Sequence, residues 1–354
     1  MAETLAGTDP NFVPPFPGSI AKYLSPKSAF SKVHGEIHAF IATRDGRPVG
    51  RIAAIVNRSH NRHYNDKTGF FGFFECENDP ATARALFERA EAVLRERGLT
   101  SIRGPYNPSI NDECGLLVEG HGTPPCIGLT WNPPYYESLV LNAGLQRVRA
   151  LLGFDLPLAE LEMPERLSRL TAHVAKRSKM RLRPINLKKL DEELELVHAV
   201  YNDTLSRNWG FFPISMEDLL SAAEDMRAIA DPDMILIAEK NGEPAGVALS
   251  LPNFNELLIH LKKTPHWLRL PHTLWLMKTR RITTARQIVY GILPQCRDRG
   301  LHAWLLHEQF RCAKERFKSA QLGWIEENNH EILENSRMLG GIQRRKWCIY
   351  EKAL

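Results

Sequence analysis

Cysteine is sparse and scattered. Six cysteines occur in 354 residues, at Cys76, Cys114, Cys126, Cys296, Cys312 and Cys348. None forms C-x-x-C and no Cys/His spacing suits zinc, so a metal-stapled or redox-motif protein is excluded. A reduced cytosolic chain without a metal is the expectation. Long apolar runs are also missing: none approaches the ~18–20 residues of a membrane-crossing helix. Residues 1–30 carry no basic segment followed by an apolar run, so no secretory signal is expected. Charge of one sign is weak. A net charge of +5 suits anionic ligands or an anionic membrane surface. It is too little to argue nucleic acid, and no aromatic-plus-basic RNA motif is present. What remains is globular, 43% apolar and 25% charged, with room for one large or two medium domains.

The element pattern repeats. In the first half, alternation predicts strands over residues 36–44, 49–56 and 69–75, with a turn at 45–48. A helix is predicted over 80–97, entered at Asp79 and closed at Gly98. A strand at 100–104, a helix at 134–142 and a strand at 145–156 follow. The first half starts late, without a clear strand and helix before its hairpin. The second half reads as strand 181–184, helix 191–208, and a hairpin of 234–239 and 245–251 about Asn241-Gly242. Then come strand 285–293, helix 301–317, strand 320–325, a helix near 331–339 and strand 346–351. The expected fold class is α/β with a mixed sheet and helices on both faces. The expected domains are residues 1–156 and 180–354, joined by a polar helical linker at 157–179.

Residues 285–317 are the most informative stretch: a buried strand, a basic turn and a helix. Such a turn leaves backbone N–H groups unpaired at a helix N-terminus, and Arg297 and Arg299 add charge. A pyrophosphate-bearing cofactor suits it. Arg297-x-x-Gly300-x-His302 resembles the Gln/Arg-x-x-Gly-x-Gly/Ala loop of the GNAT acyltransferase superfamily, with His302 as the departure. The order of elements resembles two GNAT domains in tandem. The resemblance implies that coenzyme A is held by Leu293, Gln295, Cys296, Arg297, Arg299, Gly300, Leu301 and His302, with Asn328 nearby. It also implies a thioester carbonyl polarised by backbone N–H groups near Leu293. The matching turn of the first half, Glu75-Cys76-Glu77-Asn78-Asp79, is acidic and lacks the glycine cradle, so its cofactor grip reads as lost.

Two loops offer catalytic groups. Asn107, Asn111 and Glu113 follow the first half's fifth strand, where they can orient an acceptor or serve as turn residues. Glu326 and Glu327 hold the mirror position, and strand alternation sends them to opposite faces. One is expected to be a base; which one stays open. Asn328 can bond the substrate or cap the next helix. Many GNAT enzymes use a Tyr on that helix as general acid; here Ser336 or Arg337 stands near its place. Tyr135 and Tyr136 start the comparable first-half helix, with packing as the plain alternative. His60 and His63, three apart, read as solvated or substrate-facing. The run Gly69-Phe70-Phe71-Gly72-Phe73-Phe74 reads first as aromatic core, and second as room for an acyl chain.

Between the second half's hairpin and its central strand, residues 253–284 form an insert longer than a compact domain needs. Trp267 and Trp275 sit among Leu, and Lys262, Lys263, Arg269, Lys278, Arg280 and Arg281 face one acid, Glu256. Such pieces lie well in a membrane interface. The plain alternative is helices packed on the chain itself or on a dimer partner. The whole chain resembles the tandem-GNAT family that includes bacterial ceramide synthases. Its matching stretches are residues 69–75, 104–107, 111–117, 132–136 and 347–352. That resemblance implies a long-chain acyl-CoA donor, a sphingoid amine or its 3-keto precursor as acceptor, and a cytoplasmic enzyme peripherally attached to the inner membrane. The alternatives are an N-acyltransferase for another amine or amino acid, a Fem-type aminoacyl transferase, and a non-catalytic acyl-CoA sensor.

Overall fold

The computed structural model describes residues 3, 5, 7–162, 165–177, 180–206, 208–227, 229–296 and 300–354. The chain forms two compact units that do not follow chain order. One holds Met1–Leu152, Asn255–Arg281 and Arg344–Leu354; the other holds Gly153–Phe254 and Ile282–Gln343. The insert and the chain's last residues therefore group with the N-terminal unit.

In the first unit, strands Gly35–Arg44, Arg47–Asn57 and Thr68–Cys76 pair antiparallel in series. The third then runs parallel to Ser101–Gly104. The chain's final strand, Ile342–Ala353, completes this sheet by pairing Tyr350–Ala353 with Ser101–Gly104. Helix Pro80–Glu96 buries Leu86, Phe87, Ala90 and Leu94 among Ile52, Ala54, Phe71 and Ile102. Asp79 caps that helix and Gly98 follows it with a positive φ, as the residue types require. The four phenylalanines of the central strand are all buried.

In the second unit, Met180–Pro184, Ile235–Lys240, Glu243–Pro252 and Thr284–Ile292 pair antiparallel in series, and the last runs parallel to Ser319–Glu326. Asn241 and Gly242 both take positive φ at the hairpin turn, as a two-residue primed turn demands. Alternation along the strands sends Leu236 and Ala238 toward Leu301 and Leu305 of helix Leu301–Arg316. Ile237 and Val247 go toward Val197 and Val200 of helix Leu190–Leu205. Helices thus cover both faces.

Three local features go beyond the sequence expectations. Residues 57–64, which carry His60 and His63, form a helix, Arg58–Tyr64, capped by Asn57. Short helices Ser19–Leu24 and Ala29–Val33 precede the first hairpin. Helix Met216–Met226, opened by a Ser215/Asp218 capping box, adds an element that the sequence expectations do not include.

Candidate functional site

Each unit has a central strand whose parallel partner leaves it early. Thr68–Cys76 pairs with the next strand only at Thr68, Gly69 and Phe70. Thr284–Ile292 does so only from Thr284 to Gln287. Both central strands carry a bulge at that point. The first shifts register between Arg51 and Ala53 of its neighbour, and Phe73 takes φ 50°. In the second, Leu249 and Ser250 face Val289 and Gln287, leaving Ile288 as the extra residue. A bulge beside a parting pair of strands frees backbone groups at one edge of an opening.

The two openings differ in what fills them. In the first unit, the N–H groups starting helix Pro80–Glu96 are taken by the Asp79 carboxylate, which accepts from Ala81 at 3.2 Å and Thr82 at 3.1 Å. The Thr82 hydroxyl and those backbone donors hold the Asp79 carboxyl down to about 2. Arg44 bonds the same carboxylate at 2.5 Å and also Glu77. An internal anion thus sits where a phosphate would bind. The bulge is closed as well: the Phe73 N–H donates to Asn107 Oδ1 at 2.6 Å. A Cβ at Gly72 would lie 1.6 Å from the Tyr106 carbonyl oxygen, and one at Gly69 would meet Leu94 at 2.7 Å. The strand's glycines admit the protein's own atoms, so the acyl-channel reading of this aromatic run fails.

Among the described residues, the second unit's helix start carries no such carboxylate. Helix Leu301–Arg316 begins at Gly300, with φ 113° and no side-chain cap. Arg297 and Arg299 lie outside the described residues. Of the other residues expected at the cradle, Gln295 is exposed, while Cys296 and Leu301 are buried beside Leu305 and Ile292. The His302 ring packs edge-on against Tyr290 at 4.7 Å, and its carbonyl accepts from the Tyr290 hydroxyl at 2.6 Å. Leu293 is corrected: its N–H already donates to the Ala245 carbonyl at 2.9 Å, so it is no free donor for a thioester. Val174 and Tyr290 lie beside Gly300 and His302, and neither is among the residues expected from the sequence. A Cβ on Gly300 would reach Val174 at 2.3 Å, a contact from a distant helix that leaves no local signal.

Glu326 ends its strand and Glu327 begins the turn after it, both half-buried. Asn328 is exposed, and the cap of helix His330–Met338 is Asn329, accepting from Ile332 at 3.3 Å. The capping alternative for Asn328 is thereby withdrawn. The Ser336 hydroxyl is buried and donates back to the Ile332 carbonyl at 2.8 Å. In the first unit, Asn107 pairs with exposed Glu113 in a short ladder. The Asn111 N–H donates to Ser109 at 3.2 Å. Tyr136 is buried; its hydroxyl accepts from the Cys76 N–H at 3.0 Å and donates to Glu75 at 3.0 Å. The Tyr135 hydroxyl holds the Cys76 carbonyl at 2.9 Å, and burial pushes it up to about 12. Both tyrosines clamp the central strand. His60 is buried against Phe70 and Tyr64, 3.6 Å from Asp66, so the solvated reading fails for it. Among the described residues no group of three metal-ligating side chains occurs.

The chain is 31% identical over 359 residues to the bacterial ceramide synthase of Caulobacter vibrioides (strain NA1000 / CB15N), covering 99% of this chain and 92% of that one. The chain belongs to this family of GNAT-type acyltransferases. Protein YghO of Escherichia coli (strain K12) is 30% identical over 351 residues, covering 98% of this chain and 89% of that one. A tandem GNAT protein from the clavulanic acid biosynthesis pathway shares the fold at TM-score 0.50 and 13% identity, covering 99% and 97% of the two chains. No family model matches the chain. The tandem GNAT fold accounts for the repeated bulge and parting strands.

Proposed function

We propose that the protein transfers a fatty acyl group from coenzyme A to a lipid amine, with a sphingoid base or 3-ketosphinganine as acceptor and an N-acyl amide of ceramide type as product. The observation that carries this reading is the contrast between the two helix starts. One is capped by Asp79 with Arg44, and the other, at Gly300, has no side-chain cap among the described residues. The contrast supports a cofactor cradle in the second unit, formed by Gln295, Cys296, Gly300, Leu301 and His302, with Arg297 and Arg299 supplying charge. The name of the Caulobacter relative supports the acceptor class.

The chemistry asks little of the protein. The amine nitrogen attacks the thioester carbonyl carbon, the C–S bond breaks, and the amine's proton must go to a base. Glu326 or Glu327, on the strand that parts from the central one, fills that role directly or through water. Backbone N–H groups beside the Ile288 bulge are the candidate donors to the developing oxyanion. A free thiol ionises at about 8.5, so the thiolate departs without a dedicated acid and takes its proton from water. That accommodates a Ser336 hydroxyl committed to its own helix.

Mass spectrometry of the protein with palmitoyl-CoA and a sphingoid base or 3-ketosphinganine in detergent tests the reading. Amide formation matched by free coenzyme A is expected. Intact acyl-CoA that still binds would remove the lipid acceptor, and a panel of small amines would then separate another N-acyltransferase from a sensor.

A further inference from the structure

The insert is two-faced. Its inner side is tied to its own unit. Arg269, 4% exposed, grips Glu3 through two bonds of 2.5 and 2.8 Å and donates to the Thr264 carbonyl at 3.2 Å. Lys262 donates to the carbonyls of Asp9 and Pro10 at 3.0 and 2.5 Å, which takes it out of the expected lipid-contact set. Thr273 and Leu276 are buried on the same side of helix Arg269–Thr279. Asn255 reaches the Pro125 carbonyl at 3.0 Å. These ties fix the segment as a preformed surface.

The outer side is apolar and open. Trp267 is 78% exposed, Leu270 58%, Trp275 55% and Leu274 54%. Leu270 and Leu274 lie four residues apart on helix Arg269–Thr279, away from the buried Arg269, Thr273 and Leu276, and Trp267 precedes the helix. Exposed Lys263, Lys278, Arg280 and Arg281 lie along the same segment. No acid occurs from Leu257 to Arg281. Clustered apolar side chains of this kind mark an interaction surface. A partner protein would have to match an apolar ridge with an uninterrupted acidic rim. An anionic bilayer matches both at once: indole rings at the headgroup level, leucines beneath them, cations at the phosphates.

We infer that the outer face of the Asn255–Arg281 insert docks the protein onto an anionic lipid surface. Lys262 and Arg269 are bonded to the chain itself, and Lys263, Lys278, Arg280 and Arg281 are exposed. The inference stands on this face and does not depend on which amine is acylated.

Vesicle flotation of the full chain tests it, with phosphatidylcholine alone and with added phosphatidylglycerol. Flotation with the anionic vesicles, weakened by salt, is expected. At a few-fold per cation, Lys278→Glu with Arg280→Glu and Arg281→Glu should weaken binding roughly a hundredfold. Trp267→Ala with Trp275→Ala should weaken it about tenfold. These side chains are exposed, so thermal melting should not change. A full chain that does not float with anionic vesicles overturns the inference, as does equal binding by both variants. A dimer in sedimentation velocity that Trp267→Ala with Trp275→Ala dissolves would put a second copy on the face and also overturn it.

Discussion

At Gly300 the backbone sits at φ 113°, and the space a side chain would need is held by Val174. Gly300→Ala therefore meets strain and a clash together, at a cost of about 1–3 kcal/mol. It should also lower acyl-CoA affinity, read by calorimetric titration. Gly98→Ala is the control: it too has positive φ, with nothing within 4 Å of the added carbon, so it should lower stability and leave acyl-CoA affinity unchanged. His60 makes a different residue-scale prediction. Burial pushes its imidazole down to about 4, while the Asp66 carboxylate pulls the other way. An unfolded His titrates near 6.5, so between those values the unfolded chain takes up a proton that the native site refuses. Stability is therefore full above pH 6.5 and lost as pH falls toward 4. The loss should be on the order of 2 kcal/mol, seen as a melting temperature that drops from pH 7 to pH 5. His60→Gln should flatten that dependence. The need for glycine at Gly300 was legible from the motif, because positive φ at a helix start has a residue signature. The burial of His60 was not, because Phe70 and Asp66 reach it through the fold.

Elements with local chemistry were readable and elements with distant partners were not. Asp79, Gly98 and Asn241-Gly242 announce their helix ends and turn by residue type. The same logic was available at Asn57, but the polar run after it has no apolar stripe, so helix Arg58–Tyr64 was missed. The last strand was read as a strand, yet nothing in residues 342–353 says which edge it will join; register and partner are set by packing. Its partner in the first unit is Ser101–Gly104. Trp347 is buried against Gly115, with its indole donating to the Thr130 carbonyl at 2.9 Å, and the buried Tyr350 hydroxyl bonds Glu137. The first unit's stability thus depends on the end of the chain. Trp347→Ala should cost about 3–5 kcal/mol, measured by urea unfolding. Limited proteolysis of that variant should open the first unit, at residues between 101 and 152, before the second.

Across the whole molecule, the two properties proposed for the protein fall on different units: the proposed cradle at Gly300 on one, the apolar insert face on the other. A lesion in one should spare the other. Gly300→Asp puts a carboxylate where a pyrophosphate is expected, so acyl-CoA binding should fall at least tenfold, by like-charge repulsion added to backbone strain. Vesicle binding should stay intact. Trp267→Ala with Trp275→Ala should keep acyl-CoA affinity and keep the rate on a short-chain amine dissolved in water. On a long-chain amine presented in anionic vesicles the same variant should lose about tenfold, because only that acceptor has to be met at a surface. If both acceptors slow alike, the insert supports the fold or the acyl-CoA site, and surface encounter is not its role. If the Gly300→Asp protein still forms amide at the normal rate, the cradle lies elsewhere, and the plugged first unit is the place to look: Asp79→Ala would then be expected to raise acyl-CoA affinity there, where the present assignment expects no gain.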